Sequence, residues 1–234
     1  MCPRTAVCWP AQRSEPASKH GRKQPLVQHS VPDYWSKAKR SLARRDPVLA
    51  GIIRAHPGIA LRSRGDAFQT LARSVVGQQI SVKAADSVWR RFSQTVVAVQ
   101  PATVIRAGAV KLRACGLSQR KVEYLTDLAG NFANGAVDPA GWKVLDDETV
   151  IEQLTRVRGV GRWTAEMVLI FGLLRPNVLP LDDLGLQRAV GLQYFAGRRV
   201  SARTIRRLAL NWEPWRSVAT WYLWRSLDPV PVEY

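Results

Sequence analysis

The chain has 234 residues, of which 46% are hydrophobic and 23% are charged. This composition is typical of a soluble globular protein, and it excludes a collagen, a disulfide scaffold and a wholly disordered chain. The formal net charge of +17 is far larger than solubility requires, so it predicts a polyanionic partner, of which nucleic acid is the first choice. No apolar run approaches the roughly 18 residues of a membrane-spanning helix, so we expect no membrane partner.

Cysteine usage and the first residues bear on the cellular compartment. The cysteines Cys2, Cys8 and Cys115 are odd in number and lack the close paired spacing of a zinc or iron–sulfur site. The beginning of the chain has no apolar core of signal-peptide length. We therefore expect a cytoplasmic protein, associated with the nucleoid if it is bacterial, that has no metal site.

Helices are the only regular elements that the patterns favour. Residues 1–30 lack periodic apolar positions, which predicts a flexible basic tail. Later apolar residues recur at spacings of three and four, the period of a helix with one buried face. Candidate helix starts are Asp66, Ser81, Ser118, Asp147, Asp182, Ser201 and Pro214, and a longer apolar helix is expected from Trp163 to about Leu173. The short β-rich stretch Thr95 to Val99 has no hairpin partner, so we predict an all-α fold.

Arginine is concentrated in the last third of the chain. Residues 156–225 contain twelve arginines, no lysine and four acidic residues. Arginine suits phosphate because its planar guanidinium can donate two hydrogen bonds at once. Five of these arginines lie close together, at Arg198, Arg199, Arg203, Arg206 and Arg207. A solvated basic face is the alternative, but the net charge of the whole chain favours phosphate binding.

The segment Leu154 to Ala165 carries the sequence pattern of a helix-hairpin-helix. Its centre, Arg158-Gly159-Val160-Gly161, joins two predicted helices. Glycines permit a sharp turn there and let backbone amides approach a phosphate, and the following helix N-terminus adds partial positive charge. An ordinary interhelical turn would fit the two glycines alone equally well. The residues expected to contact DNA are Arg158, Gly159, Val160, Gly161, Arg162 and Thr164.

A second motif, Leu179 to Arg188, begins 18 residues after Gly161 and places two carboxylates at a helix start. With the hairpin, it resembles the helix-hairpin-helix DNA glycosylase superfamily. Four further stretches resemble its 3-methyladenine DNA glycosylase II branch: Gly77-Gln-Gln-Ile-Ser81, Leu112-Arg-Ala-Cys-Gly-Leu-Ser118, Gly161-Arg-Trp-Thr-Ala165 and Trp212-Glu-Pro-Trp-Arg-Ser217. The resemblance covers roughly residues 30 to 228.

The resemblance implies that Asp183 is the catalytic aspartate. Chemistry agrees, because breaking an N-glycosidic bond develops positive charge on the sugar, which a fixed carboxylate stabilises. Alkylated bases already carry positive charge, so they leave without a dedicated general acid. We expect the adjacent Asp182 to serve as the helix cap.

The resemblance also implies other roles. Trp163 occupies the position of the lysine nucleophile in lyase-active relatives, and a tryptophan cannot form a Schiff base, so we expect no lyase activity. The expected base pocket consists of Trp163, Met167 and Trp224, Met167 standing at a position that can be aromatic in relatives. The wedge that fills the gap left by a flipped base corresponds to Gln78 and Gln79, with Gln79 at the matching position. Core packing is expected for Trp89, Trp212, Trp215 and Trp221.

The expected architecture is a glycosylase domain at residues 31–234 with two helical subdomains flanking a cleft. Residues 66–175, which include the hairpin at 154–165, form the first, and residues 31–65 with 176–234 form the second. The longer members of the family have an additional N-terminal mixed domain, which we expect to be lacking here.

The expected function is that of a monofunctional DNA glycosylase that excises alkylated purines of the 3-methyladenine type from damaged double-stranded DNA in base excision repair, as a monomer without a cofactor. Two alternatives remain open. One is a catalytically silent DNA-binding module, and the other is a glycosylase of the same fold for hypoxanthine or uracil.

Overall fold

The computed structural model describes residues 31–63 and 66–227, and within these ranges the chain forms eleven α-helices and no β-strand. The helices are α1 (Trp35–Arg45), α2 (Pro47–Ala55), α3 (Ala67–Gly77), α4 (Val82–Val96), α5 (Pro101–Ala114), α6 (Gln119–Ala133), α7 (Asp147–Thr155), α8 (Arg162–Met167), α9 (Leu184–Tyr194), α10 (Ala202–Leu208) and α11 (Arg216–Leu227). The all-α prediction is confirmed, and the predicted tail at 1–30 lies outside the described residues. None of the described helices has the length and apolarity needed to cross a membrane.

Helix starts follow the capping residues of the sequence closely. Asp66, Ser81, Ser118 and Ser201 are N-caps, and each side chain accepts a backbone N–H of the first turn. Two starts differ from prediction by one residue. Asp146, not Asp147, caps α7, and Asp183, not Asp182, caps α9. The prediction that Asp182 is the cap is therefore wrong, since the carboxylate of Asp183 accepts the N–H of Leu186.

Two segments differ from the predicted elements. Thr95 and Val96 complete α4, and Val97, with φ of 61°, ends it, so no strand forms there. The expected helix from Trp163 to Leu173 is α8 followed by a π-helical turn, Val168–Gly172, closed by the bond from the Leu173 N–H to the Val168 carbonyl. Such π turns are frequent at functional sites.

The helices pack as two groups. Helices α3 to α6 pack against one another, and α3 also contacts α8, on which α7 packs; the second group is α1, α2, α9, α10 and α11. Ser217 of α11 joins the connection between the groups, because its hydroxyl donates to the Arg175 carbonyl at 2.6 Å and accepts the Val178 N–H at 2.9 Å. The segment that leads from the π turn to Asp183 is thereby fixed to α11.

Asp46 is a buried carboxylate that holds the second group together. It is 3% exposed and caps α2, accepting the N–H groups of Val48 and Leu49 at 3.0 Å. Its other oxygen accepts the Tyr194 hydroxyl of α9 at 2.7 Å and the Trp212 indole N–H at 2.9 Å. Burial of a charge is tolerated when its lone pairs are satisfied in this way. Trp212 is fully buried and Trp221 is 7% exposed, which confirms core packing for both.

We predict that Asp46→Ala lowers the free energy of unfolding by about 3 kcal/mol, because it leaves two buried donors unpaired and removes a helix cap. Urea unfolding measures this change. The exposed Asp33 provides a control, and Asp33→Ala is expected to stay within about 0.5 kcal/mol of the wild type. Equal effects of the two substitutions would contradict the role of Asp46.

Candidate active site

Asp183 is fixed by hydrogen bonds from three helices. Its Oδ1 accepts the Leu186 N–H of α9 at 2.6 Å and the Trp224 Nε1–H of α11 at 2.8 Å. Its Oδ2 accepts the Trp163 Nε1–H of α8 at 2.8 Å. The residue is partly exposed. The structure thus brings together three residues that the sequence analysis selected separately, and it holds the carboxylate in one orientation.

Gly185 makes this arrangement possible, and sequence reasoning did not single it out. A Cβ at Gly185 would lie 3.0 Å from Asp183 Oδ1 and 3.2 Å from Trp224 Nε1. These distances are too short for a side chain unless its neighbours move. The glycine therefore lets the Trp224 indole reach the carboxylate across the first turn of α9.

The aromatic surroundings of Asp183 differ in part from those predicted. Trp163 is half-buried and Trp224 is 8% exposed. Phe171, in the π turn, stacks on Trp224 with ring centroids 5.8 Å apart and an interplanar angle of 13°. Met167 is 3% exposed and packs in the core, so it presents almost no surface to a ligand. Phe171 was missed, although it lies one further turn along the series that starts at Trp163.

The predicted hairpin forms the turn between α7 and α8. Gly159 has φ of 82°, and a Cβ there would lie 2.2 Å from Cδ2 of the Tyr124 ring, so the position requires glycine. Val160 is buried. The Arg158 N–H donates to Asp127 Oδ2 at 3.0 Å, whereas its guanidinium is 64% exposed and lies 3.6 Å from Glu123. An exposed pair of this kind is weak, so the guanidinium can exchange Glu123 for a phosphate.

Two hairpin residues that are expected to contact DNA have side chains engaged within the protein. Thr164 is 3% exposed, so of its groups the backbone N–H in the first turn of α8 is the one that fits the predicted DNA contact. The Arg162 guanidinium donates to both oxygens of Glu148, at 2.8 and 2.5 Å, and to Glu166 at 3.2 Å. Arg162 thus has carboxylate partners within the protein.

Glu166 is an acidic side chain buried behind the hairpin. It is 4% exposed, and burial raises the pKa of its carboxyl to about 7, with Arg162 opposing the rise and the charge of Asp182 adding to it. By contrast, the bond from Arg162 lowers the pKa of the more exposed Glu148. The Arg162 network therefore contains one carboxyl that changes charge near neutral pH.

The two glutamines predicted as a wedge lie in different environments. Gln78 Nε2 donates to the Gly159 carbonyl at 2.9 Å, which ties it to the hairpin. Gln79 is exposed and has φ of 59°, and Ile80 beside it is 39% exposed. An unbranched side chain tolerates this left-handed backbone better than a β-branched one. The geometry therefore separates a residue that anchors the loop from one that projects from it.

One face of α6 supports both loops. Lys121 Nζ donates to the Val76 carbonyl, at the end of α3, at 2.7 Å. One turn later the Tyr124 ring lies against Gly159, and Asp127 accepts the Arg158 N–H. The spacing between the loop at Gln79 and the hairpin is thus set by one rigid helix.

Comparison with known proteins identifies the family. The profile described as "HhH-GPD superfamily base excision DNA repair protein" matches residues 72–216. DNA-3-methyladenine glycosylase 1 of Schizosaccharomyces pombe is 32% identical over 164 residues, which cover 68% of this chain and 72% of that protein.

Solved structures agree with this match. The DNA-3-methyladenine glycosidase of Bacillus halodurans is 32% identical, with a TM-score of 0.74 over 83% of this chain and 91% of the other. The 3-methyladenine DNA glycosylase of S. pombe, solved in complex with abasic DNA, is 26% identical, with a TM-score of 0.74 over 85% of this chain and 99% of that one. The resemblance read from the sequence is confirmed, and the chain belongs to the HhH-GPD superfamily of base excision DNA repair proteins.

Proposed function

We propose that this protein is a monofunctional DNA glycosylase that flips alkylated purines of the 3-methyladenine type out of duplex DNA and hydrolyses their bond to deoxyribose. The observation that carries the proposal is the carboxylate of Asp183, held by the indole N–H groups of Trp163 and Trp224. Relatives named for 3-methyladenine excision support the choice of substrate.

Asp183 acts on charge that develops during bond cleavage. As the base leaves, the sugar acquires oxocarbenium-like positive charge, and a carboxylate already fixed in place stabilises that charge without reorganising. The same oxygens can orient the incoming water. The three donors around Asp183 occupy three of its roughly four acceptor sites, so one site stays open to water and the negative charge stays in place.

The donors around Asp183 are suited to a base that is already cationic before the bond breaks. These donors are two indole N–H groups and one backbone N–H, none of which is a proton source at neutral pH. An alkylated purine leaves as a neutral base and needs no such source. Hypoxanthine and uracil are neutral before cleavage and benefit from protonation, so the arrangement favours alkylated bases over deaminated ones.

The aromatic rings beside Asp183 support binding of a flipped base, and the lack of an amine at position 163 supports a monofunctional reaction. A flipped cationic base stacks on electron-rich rings with an added cation–π attraction, and the half-buried Trp163 is the more accessible of the two tryptophans. Trp163 offers no amine for a Schiff base, so the product is an intact abasic site.

The hairpin and the Gln79 loop are the proposed DNA contacts. Gly161 has no side chain to cover the first N–H groups of α8, which can then donate to a phosphate. Gln79 fills the space left by the flipped base, and Gln78 keeps that loop against the hairpin. The role of wedge belongs to Gln79 rather than to both glutamines. The monomeric state and cytoplasmic location remain predictions.

Asp183→Asn is expected to lower the rate of methylpurine release about 100-fold or more under single-turnover conditions, because it removes the stabilising charge. Binding of undamaged duplex is expected to stay equal or become tighter. The matched control is Asp182→Asn at the exposed neighbouring residue, which is expected to release base within about threefold of the wild-type rate.

Equal activity of the two variants would contradict the role of Asp183. Binding without release of any base by the wild type would instead support a silent DNA-binding module. A duplex containing hypoxanthine or uracil, assayed in parallel, identifies a glycosylase for deaminated bases. Strand scission without added base would contradict the monofunctional assignment.

Two alanine substitutions separate folding from phosphate binding at the hairpin. A Cβ at Gly161 meets open space, so Gly161→Ala is expected to keep the unfolding free energy within about 0.5 kcal/mol while weakening binding of any duplex several-fold. Gly159→Ala is expected to destabilise the fold by about 2 kcal/mol through the contact with Tyr124 and the positive φ. Unchanged affinity of Gly161→Ala, measured by fluorescence anisotropy, would contradict phosphate binding at this turn.

A further inference from the structure

A second concentration of positive charge lies away from Asp183. We call it the arginine patch, and its residues are Arg198, Arg199, Arg203, Arg206 and Arg207, all exposed. No acidic residue occurs between Asp183 and Glu213 in the sequence. Among the described residues, no carboxylate forms an ion pair with any member of the patch. The catalytic proposal does not use these charges.

The backbone of the patch is well fixed. Gly197, with φ of 81°, donates its N–H to the Gly191 carbonyl at 2.8 Å. A Cβ at Gly191 would lie 2.6 Å from the Arg198 carbonyl oxygen, so the turn packs directly on α9. Ser201 then caps α10, and Ile205 is fully buried beneath it. The guanidinium groups therefore extend from a rigid support.

The arginines of α10 repel one another, and a bound polyanion would remove this repulsion. Arg203 lies three and four residues before Arg206 and Arg207 on α10, a spacing at which like charges destabilise a helix. Arginine is suited to phosphate because of its planar set of donors. An array of exposed arginines without acidic partners is therefore complementary to a row of phosphates.

The patch lies at the opposite end of α9 from Asp183. Asp183 caps the N-terminus of α9, and the patch begins four residues after its C-terminal Tyr194. At 1.5 Å per residue, the 11 residues of α9 separate the two ends by roughly 16 Å. This separation exceeds the length of an arginine side chain, so the charges of the patch are available to phosphates other than those beside the lesion.

We propose that the arginine patch binds the phosphate backbone of a second duplex segment while a first segment occupies the site around Asp183. This inference rests on the proposed function, since it assumes that the first segment binds at Asp183. Contact with two segments lets a repair enzyme pass from one part of the DNA to another without dissociating fully. The patch is a binding surface and takes no part in the chemistry of base release.

The test compares two full-length variants that each lose three positive charges. The first is Arg203→Gln with Arg206→Gln and Arg207→Gln. The control is Arg106→Gln with Lys111→Gln and Arg113→Gln, three exposed residues of α5, which packs against α4 and α6. Two undamaged duplexes, one carrying a donor dye and the other an acceptor, report bridging as energy transfer when the protein is added.

Wild type and control are expected to bridge the duplexes within twofold of each other, and the patch variant is expected to bridge at least fivefold less. The slope of the logarithm of the bridging constant against the logarithm of the salt concentration is expected to be smaller in magnitude by roughly 2.7 in the patch variant, because each of the three lost phosphate contacts contributes about 0.9. Absence of bridging by the wild type overturns the inference, and so does equal loss in both variants. A patch variant that loses affinity for a single long duplex but bridges normally also overturns it, since the patch then contacts flanking phosphates of the same duplex.

Methylpurine release from one short duplex tests the proposed function separately. The patch variant is expected to release base within about twofold of the wild-type rate. If the wild type releases no base but still bridges duplexes in a patch-dependent way, the catalytic assignment fails and the second DNA surface stands.

Discussion

The carboxylate of Asp183 accepts hydrogen bonds from the indoles of Trp163 and Trp224, and the rest of the site depends on this interaction. It brings α8, which begins at the hairpin, and α11, which belongs to the second helical group, to the N-terminus of α9. Gly185 leaves the space in which these groups meet. The proposed catalytic charge is thus oriented by groups that also join the two halves of the fold, so its position does not depend on a flexible loop.

The two loops that would contact DNA are also fixed by contacts with helices. One face of α6 holds the end of α3 and the hairpin together, through Lys121 and Tyr124, and Gln78 adds a direct bond between the two loops. Catalysis benefits when the elements that position the reacting groups keep fixed distances. Rigid support for both loops therefore favours the proposed reaction by fixing the spacing between the group that enters the helix stack and the group that grips the backbone.

Local chemistry explains why so much of the fold could be predicted. Side chains that cap helices act within three residues of their own position, so Asp66, Ser81 and Ser118 identified helix starts from the sequence alone. The choice between Asp182 and Asp183 as cap is a difference of one residue, which pattern reading does not resolve. The surroundings of Arg162 and Thr164 could not be predicted for another reason. The pairing of Arg162 with Glu148 of α7 and the burial of Thr164 arise from packing between helices, as do the contacts of Gly185 and Phe171 with Trp224.

The most direct test of this account removes the indole N–H donors and keeps the rings. Trp163→Phe and Trp224→Phe each delete one hydrogen bond to Asp183 while preserving an aromatic face for stacking. The measurement is the single-turnover rate of methylpurine release from duplex DNA, with thermal unfolding and undamaged-duplex binding as checks on the fold. We predict that each variant releases base at least about 10-fold more slowly than the wild type, since one lost hydrogen bond to a charged group corresponds to roughly 1.5–3 kcal/mol. Wild-type rates in both folded variants would contradict the proposal that these two indoles hold the carboxylate of Asp183 in place for catalysis.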